Sequence, residues 1–371
     1  AWTLVSDPGP KGGPAEECMP ACCGVSRSNK VAPAPRWPHL KYEGMGKHHS
    51  KPLNHPESAS FEQLVGVNSR KNSAVKSMYR MQKEVLGEGG FAKVKLGRTK
   101  TPRKRELAIK IANNKDKEAQ REVELLNFLG THPNIASLLD FYIKGNDLCM
   151  VFARCSDGDM MDYLVTHGRF NEPLAAECAR SIVAATAFCH SKNVAHRDIK
   201  GQNVLVHTAE GLNFPQFKLT DFGAATYFSK WDQMHSQKIG SSCYVAPEVL
   251  REKYFPAKAD VWSVGATVFA VLHGEPPFYS KASSEVTFGR VLKEKFDLPT
   301  SIAKGNSTAA QNFILSCMSR RSWKRPSPAD LLKHPWLQLG AIDKGTWPEM
   351  EVREAEDPEQ MNDDEIWRVP R

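Results

Sequence analysis

The spacing of the apolar residues changes part-way along the chain, and this change limits the folds that it can adopt. Short alternating segments come first, at Val85–Leu86, Ala92–Gly97 and Leu107–Ile111, separated by glycine and charged turns. Such segments predict the strands of an antiparallel sheet. Helical spacing then takes over, so we expect an α+β fold.

The helical pattern begins beside the predicted sheet. Between Lys115 and Leu129 the apolar positions recur at helical spacing, and His132-Pro133-Asn134 closes the segment. Two longer apolar stripes follow, from Leu174 to Cys189 and from Trp262 to Leu272. These patterns predict one helix packed on the sheet and a larger, mainly helical second half.

The two ends of the chain differ in composition from the middle. Residues 1–78 are rich in proline and lack periodicity, so they are expected to be disordered. Their Cys18, Cys22 and Cys23 have no second Cys/His pair at ligand spacing, and no zinc site is expected. Residues 337–371 carry a net charge of −6 and are expected to form an acidic tail.

Composition restricts the class of protein. The nine cysteines are scattered and odd in number, which favours a reducing compartment, cytoplasmic or nuclear. No run of about 20 apolar residues and no signal peptide is present, although the start at Ala1 leaves open a fragment or a processed product. The middle of the chain carries a net charge of +9 but has no nucleic-acid-binding motif. This charge is explained either by ordinary solvated surface residues or by the binding of a polyphosphate ligand.

A glycine-rich segment follows the first predicted strand. In LGEGGFAKV, Leu86 to Val94, Gly87, Glu88 and Gly89 stand where backbone amides can face a phosphate. An ordinary hairpin and a dinucleotide-binding fingerprint are alternatives. A strand rather than a helix comes next, which argues against the dinucleotide fingerprint.

Five further motifs occur in a fixed order after this segment. They are AIK ending at Lys110, HRDIKGQN (His196–Asn203), DFG (Asp221–Gly223), APE (Ala246–Glu248) and DVWSVG (Asp260–Gly265). The series resembles the eukaryotic protein kinase family from about Tyr79 to Trp336. The resemblance implies a bilobal kinase domain over residues 79–336, with a small antiparallel-sheet lobe plus one helix and a larger, mainly helical lobe.

The resemblance implies roles for residues that would bind the phosphates of ATP. Lys110 would hold the α and β phosphates and pair with Glu122 on the adjacent helix. Glu124 is the competing partner, although it points elsewhere on a helix. Asn203 and Asp221 would bind Mg²⁺ or Mn²⁺.

The resemblance also implies roles at the substrate hydroxyl. Asp198 would orient this hydroxyl and accept its proton, while Lys200 would neutralise charge on the transferred phosphate. Lys200 is typical of the serine/threonine branch, and Ser241 matches the residue that bonds the catalytic Asp and Lys.

By the same resemblance, one set of residues would surround the nucleotide. Phe152 occupies the gatekeeper position, Ala153 to Cys155 offer backbone groups to adenine, and Asp159 would bond the ribose. The full set is Leu86, Gly87, Glu88, Gly89, Gly90, Val94, Ala108, Lys110, Phe152, Ala153, Cys155, Asp159 and Leu205, with Met160 also expected against adenine.

Other matched residues are expected to support the site. His196 and Phe222 would pack in the core with Leu126 and Leu138. Three further residues have structural roles by resemblance: Glu248 and Arg325 would form a buried ion pair, and Asp260 would cap the backbone of the HRD loop.

Several positions depart from the family pattern. Ala92 replaces the third glycine of the loop, Gly201 and Gln202 replace Pro and Glu, and Ala270 stands where some basophilic kinases have a carboxylate. We therefore expect weak selection for Arg two residues before the target.

Regulation is predicted from the residue that precedes Asp198. In this family an Arg there, here Arg197, indicates a phosphate on the activation loop. Ser236 is the predicted site, with Thr226 and Ser229 as alternatives. This phosphate would require an upstream activating kinase.

The phrases HPNI, CHSKNVAHRDIK and GEPPF are most similar to the calcium/calmodulin-dependent group. No EF-hand loop or basic amphipathic helix of calmodulin-target type accompanies them, so direct calcium control is not expected. The expected activity is Mg-ATP-dependent phosphorylation of Ser/Thr in protein substrates. A pseudokinase scaffold is the alternative, which the intact Lys110, Asp198, Asn203 and Asp221 disfavour.

Overall fold

The computed structural model describes residues 58–68, 78–89, 92–101, 104–208, 215–229, 240–252 and 254–339. Four groups of sequence predictions lie outside these residues: the cysteine cluster, Gly90, Ser236 and nearly all of the acidic tail.

The described strands are short and most of them belong to one sheet. They are β1 (Tyr79–Glu88), β2 (Ala92–Thr99), β3 (Glu106–Asn113), β4 (Leu138–Lys144), β5 (Asp147–Ala153), β6 (Val194–Ala195), β7 (Val204–His207), β8 (Gln216–Leu219) and β9 (Thr226–Tyr227).

The helices lie mostly in the second half of the chain, as the apolar spacing predicts. They are α1 (Phe61–Asn68), α2 (Lys117–Leu129), α3 (Met160–His167), α4 (Glu172–Ser191), α5 (Pro247–Leu250), α6 (Pro256–His273), α7 (Ser284–Lys293), α8 (Thr300–Gly305), α9 (Thr308–Cys317), α10 (Pro328–Leu331) and α11 (Pro335–Leu339). Among the described residues, no helix is both long enough and apolar enough to span a membrane.

The main sheet is five-stranded and antiparallel, in the order β1-β2-β3-β5-β4. Val94 on β2 pairs with Lys110 on β3, and Ala108 pairs with Phe152 on β5. Side chains two residues apart on a strand share a face, and paired residues also share one. One face of the sheet therefore carries all four of these side chains.

Helix α2 packs beside the sheet through its apolar stripe. Asp116 caps its first turn by accepting a hydrogen bond from Glu118 N at 2.9 Å. The helix ends at Gly130, whose φ of 72° places it in the left-handed region that glycine adopts at low cost. Val123 and Leu126 are buried in the core.

The second half is built around helices α4 and α6. Nearly every residue of α6 is buried, which explains why its sequence is apolar on all sides. A Cβ on Gly265 would lie 2.6 Å from Cβ of Cys317, so glycine permits the close approach of α6 and α9. These helices form the core of the larger lobe.

The structure differs from the expected disorder of residues 1–78 at α1. Ser60 and Gln63 cap this helix, since Ser60 N donates to Gln63 Oε1 at 2.8 Å and Gln63 N donates to Ser60 Oγ at 3.3 Å. Phe61 and Leu64 are buried in the main core. Composition did not predict this helix, although Ser60 and Gln63 supply a local capping signal, because most of the stability of so short a helix comes from tertiary packing.

Candidate active site

Lys110 on β3 joins two acidic residues from different parts of the fold. Its Nζ lies 2.6 Å from Oε2 of Glu122 on α2 and 2.9 Å from Oδ1 of Asp221, which follows β8. Burial alone would lower the pKa of Lys110, but the charges of Glu122 and Asp221 outweigh burial and raise it. Lys110 is therefore held as a cation where the sheet, α2 and the segment after β8 meet.

Glu124, the competing partner, lies on another side of α2. Its Oε1 accepts a hydrogen bond from the backbone N of Phe61 at 2.7 Å. Residues two apart on a helix point about 200° apart. Glu122 is thus the residue that reaches Lys110.

Asp221 adopts a backbone conformation that is uncommon for a residue with a side chain. Its φ of 62° and ψ of 76° lie in the left-handed region, and the following Phe222 is fully buried. The Phe222 ring packs edge-on against His196 at 4.7 Å between centroids. Burial would raise the pKa of Asp221, but the charge of Lys110 outweighs burial and lowers it, so this carboxylate stays ionised.

Asp198 is the centre of a second cluster. Its Oδ1 accepts a hydrogen bond from Ser241 Oγ at 3.0 Å, and its Oδ2 accepts one from Asn203 Nδ2 at 3.0 Å. Lys200 Nζ lies 2.9 Å from the same Oδ2 and donates to Ser241 Oγ at 2.7 Å. The side chains of Ser241, Asn203 and Lys200 fix the direction of the Asp198 carboxylate.

The loop of residues 196–203 that carries this cluster is anchored from α6. Asp260 is fully buried and accepts hydrogen bonds from His196 N at 2.9 Å and Arg197 N at 2.7 Å. His190 Nε2 lies 2.8 Å from the same carboxylate. Arg197 has a φ of 65°, so these bonds hold a backbone conformation that costs energy.

The residues beside Asp198 fit a hard divalent cation. The β7–β8 hairpin places Asn203 and Asp221 next to each other, because Thr220 N donates to Asn203 O at 2.9 Å. The amide NH₂ of Asn203 donates to Asp198, which leaves its oxygen as the donor atom for a cation. One oxygen of Asp221 bonds Lys110 and the other stays available, and this oxygen donor set suits Mg²⁺ or Mn²⁺.

The sheet face that carries Lys110 forms one wall of a cleft. Val94 and Ala108 lie on this face, and Phe152 continues it as a largely buried side chain. Leu205 on β7 is half-buried and forms an isolated bridge with Asp159. These apolar side chains are among those expected to surround an adenine ring, and that role stays a prediction.

Met160 departs from the prediction. Its side chain is fully buried, with Sδ 3.4 Å from Cys178 Sγ, so it packs inside the larger lobe and does not contact the cleft. Asp159, one residue before it, caps α3 by accepting hydrogen bonds from Met161 N at 2.7 Å and Asp162 N at 3.0 Å. Burial outweighs these bonds and raises the pKa of Asp159 to about 6.

The segment after β5 carries the backbone groups expected to face adenine. Ala153 is exposed and ends β5, and Cys155 is half-buried, which raises the pKa of its thiol. Between them Arg154 pairs with Glu106 of β3, which also bonds Arg98 at 2.9 Å. These contacts tie the segment to the sheet.

The glycine-rich segment lies at the exposed tip of β1 and β2. Leu86 is 38% exposed, and Glu88 pairs with Lys93 at 3.1 Å. A Cβ on Gly87 would meet nothing within 4 Å, and neither Gly87 nor Gly89 has a positive φ. The backbone conformation at Gly87 and Gly89 therefore does not require glycine. Because glycine has no side chain, it leaves the backbone amides of this segment exposed.

Residues 80–337 match the family described as "Protein kinase domain". The chain belongs to the protein kinase family. It is 32% identical over 287 residues to Calcium-dependent protein kinase 10 from Oryza sativa subsp. japonica, an alignment that covers 75% of this chain and 47% of the relative. It is 32% identical over 282 residues to Calcium-dependent protein kinase 1 from Arabidopsis thaliana, covering 74% and 45% respectively. The chain spans about half the length of these relatives.

The structure describes three of the positions that depart from the family pattern, Gly201, Gln202 and Ala270. A Cβ on Gly201 would lie 2.5 Å from Sδ of Met161, so the missing side chain makes room for this methionine. Gln202 Oε1 is buried and has no hydrogen-bond partner among the described residues. Ala270 is fully buried and offers no charge.

The segment that ends the activation loop is held by an ion pair. Arg325 has a fully buried side chain and donates to Glu248 Oε1 at 2.5 Å and Oε2 at 2.8 Å. It also donates to the backbone oxygens of Ser319 and Lys258 and lies 5.0 Å from the Trp262 ring centroid. Each nitrogen of the guanidinium group therefore donates at least one hydrogen bond.

Two features of the kinase site were not predicted from the sequence. Arg121 lies on α2 close to Arg197, and the pairing of Arg154 with Glu106 ties β5 to β3. For Arg121, its position directly before Glu122 is the available sequence signal. No sequence signal predicts the pairing of Arg154 with Glu106, because the two residues are 48 positions apart in the chain.

Proposed function

We propose that the chain is a serine/threonine protein kinase, with its catalytic domain at residues 79–336, that transfers the γ-phosphoryl group of ATP to protein hydroxyl groups. One observation carries the proposal: Lys110 contacts Glu122 and Asp221 at once. This contact assembles the phosphate-binding residues as phosphoryl transfer requires. The pseudokinase alternative is disfavoured because Asp198 and Asn203 are also bonded together beside it.

The proposed reaction depends mainly on positioning and charge. Lys110 would hold the α and β phosphates, and Asn203 with Asp221 would hold the divalent cation. Bound Mg²⁺ neutralises charge on the phosphates. Asp198 accepts the proton of the substrate hydroxyl. The hydroxyl oxygen bonds to the γ-phosphorus while the bond from this phosphorus to ADP breaks and ADP leaves. Lys200 offsets the negative charge of the transferred phosphoryl group.

The Ser/Thr preference is supported by the cluster around Asp198. Lys200 bonds both Asp198 and Ser241, so its ammonium group is fixed beside the carboxylate that orients the hydroxyl. In the family, a lysine at this position marks the serine/threonine branch. We infer that small aliphatic hydroxyl groups, rather than phenols, are the acceptors.

The test is phosphate incorporation from labelled ATP and Mg²⁺ into a mixed basic protein substrate, followed by phosphoamino-acid analysis. The wild-type chain is expected to label serine and threonine. Asp198→Asn, which keeps the size of the side chain, is expected to reduce labelling by at least about 100-fold. Equal labelling by both proteins would favour the scaffold alternative, and phosphotyrosine as the product would contradict the Ser/Thr assignment.

We infer weak selection for Arg two residues before the target. Gln202 and Ala270 replace the two carboxylates that basophilic relatives use there, and Asp159 supports at most a basic residue further upstream. An oriented peptide library checks this, and strong selection for Arg at the nearer position would contradict it.

We also infer activation by a phosphate on the loop, added by an upstream kinase. Burial, and then the charge of Arg197, lowers the pKa of Arg121, so two cations from different lobes lie together. Such a pair favours a bound anion. Mass spectrometry of the active protein is expected to find phosphate at Ser236, which lies outside the described residues. Full activity with an unmodified loop would contradict this.

We place the protein in the cytoplasm or nucleus. The support is the cysteine content expected of a reducing compartment, and no disulfide joins cysteines of the described residues. Calcium dependence is stated by the names of the relatives and is not part of the proposal.

A further inference from the structure

We propose that residues 58–68, which precede the region matched by the kinase family, position α2 so that Glu122 reaches Lys110. This inference rests on the proposed kinase activity, and it assigns positioning roles to Phe61 and Glu124. Neither residue touches the cleft, so both act through α2.

The first support is the apolar contact of α1. Helix α1 contacts α2, and its Phe61 and Leu64 are 5% and 8% exposed. The Phe61 ring lies 6.2 Å from the ring of Phe141 on β4. Phe61 therefore lies between α2 and the sheet, where its volume determines how closely the two can approach.

The second support is polar and directional. The backbone N of Phe61 donates to Glu124 Oε1 at 2.7 Å. Glu124 and Glu122 lie on one rigid helix and point about 200° apart. A contact that fixes the outer side of α2 at Glu124 therefore also fixes the rotation that directs Glu122 towards Lys110.

The third support links the same segment to the activation segment. Ser58 lies beside the side chain of Tyr227 on β9, six residues after Asp221. The Tyr227 ring packs edge-on against Phe128 of α2 at 5.5 Å between centroids. Residues 58–68 thus contact both α2 and the strand that follows the DFG motif.

A positioning role and a purely stabilising role predict different kinetics. If α1 only stabilises the fold, its loss reduces the amount of folded enzyme and leaves the KM for ATP unchanged. If α1 positions Glu122, a smaller fraction of folded molecules binds ATP productively, and the KM for ATP rises in inverse proportion to this fraction.

The experiment compares four variants of the full chain, each at a temperature where circular dichroism shows it folded. Phe61→Ala removes the buried ring and Glu124→Ala removes the acceptor. Glu124→Gln keeps an oxygen that can accept from Phe61 N, and Glu62→Gln alters an exposed side chain of the same helix as the matched control.

For Phe61→Ala and Glu124→Ala we expect kcat/KM for ATP to fall about tenfold. Glu124→Ala leaves the backbone N of Phe61 without its acceptor, and Phe61→Ala removes a buried apolar contact. The KM for ATP should rise while the KM for the protein substrate stays the same. Glu124→Gln should recover most of the activity and Glu62→Gln should match wild type. An unchanged KM for ATP in both alanine variants would overturn the proposal.

Hydrogen exchange separates this inference from the proposed activity. In Phe61→Ala, amides of residues 117–129 should exchange faster by about tenfold or more, whereas amides of α6 should exchange as in wild type. This result does not depend on phosphoryl transfer. Unchanged exchange in α2 would overturn the positioning role, whereas faster exchange in a protein without kinase activity would count against the proposed function alone.

Discussion

The hydroxyl group of Ser241 donates a hydrogen bond to Oδ1 of Asp198 at 3.0 Å. Forty-three residues separate the two in sequence, and the bond joins the end of the activation segment to the loop that carries Asp198. Because Lys200 donates to the same hydroxyl at 2.7 Å, Ser241 also orients the lysine. A displaced activation segment therefore removes a restraint on both residues.

Replacement of Ser241 tests this restraint. In Ser241→Ala, Asp198 and Lys200 each lose a charge-assisted hydrogen bond, which costs about 1.5–3 kcal/mol. We expect kcat to fall about 10- to 100-fold, with little change in the KM for ATP. Ser241→Thr should retain most of the activity, since it keeps the hydroxyl.

The adjacent serine supplies the matched control. Ser242 Oγ contacts only Cys243 Sγ, at 3.8 Å, among the hydrogen bonds of the described residues. Ser242→Ala is expected to keep wild-type kcat in the same assay. A loss in Ser242→Ala as large as that in Ser241→Ala would show that the segment, rather than the Ser241 bond, is responsible.

Asp159 predicts a pH dependence of nucleoside binding. Burial raises its pKa from 3.8 to about 6, so the carboxylate forms only above this pH. If the ionised group bonds the ribose, the affinity for adenosine should increase as the pH rises from 5 to 7. Adenosine is the suitable probe because it carries no phosphate that titrates in this range.

The control for this prediction is Asp159→Asn, which has no ionisable group. Calorimetric titration should give an adenosine affinity that does not change over the same pH range. The free energy of unfolding of the wild-type protein should change in the direction opposite to its adenosine affinity. Between pH 4 and 6 the folded state binds more protons at Asp159 than the unfolded state does. The contribution of Asp159 to the free energy of unfolding therefore falls as the pH rises. A wild-type adenosine affinity without pH dependence would contradict the ribose role.

Short linear motifs explain why so much of the site could be predicted. Lys110, Asp198 and Asp221 each stand in a motif with fixed neighbours, and the alternating and helical spacings gave the sheet and the main helices. The sequence could therefore predict which residues meet around Lys110 and Asp198, without the distances between them.

The rest depended mainly on tertiary contacts, which composition and apolar spacing do not reveal. Helix α1 buries the apolar residues Phe61 and Leu64, in a segment whose composition favours disorder, and it packs on α2 and against Phe141. Met160 was misplaced because neighbouring residues differ in direction: the Asp159 side chain caps α3 while Met160 enters the core. Spacing alone did not separate the two.

Gly201 gives a steric prediction. A Cβ at this position would lie 2.5 Å from Sδ and 2.7 Å from Cγ of Met161, whose side chain is buried and has little room to move. Gly201→Ala should destabilise the protein by about 1–3 kcal/mol and lower kcat, because the Asp198 loop must shift. Adding Met161→Ala should restore part of the loss in kcat. Gly289→Ala is the control, since its Cβ would meet nothing within 4 Å, and it should be neutral or stabilising.

The Arg325–Glu248 pair predicts a loss of stability that depends on which partner remains. Arg325→Met leaves the Glu248 carboxylate, 14% exposed, without its cation, which costs about 3–5 kcal/mol of unfolding free energy. The double variant Arg325→Met/Glu248→Met removes both charges and should lose less than the sum of the two single changes. Urea denaturation of the single and double variants measures both quantities. Additive losses would mean that the two side chains contribute independently, and that their bidentate contact does not stabilise the segment beside the peptide site.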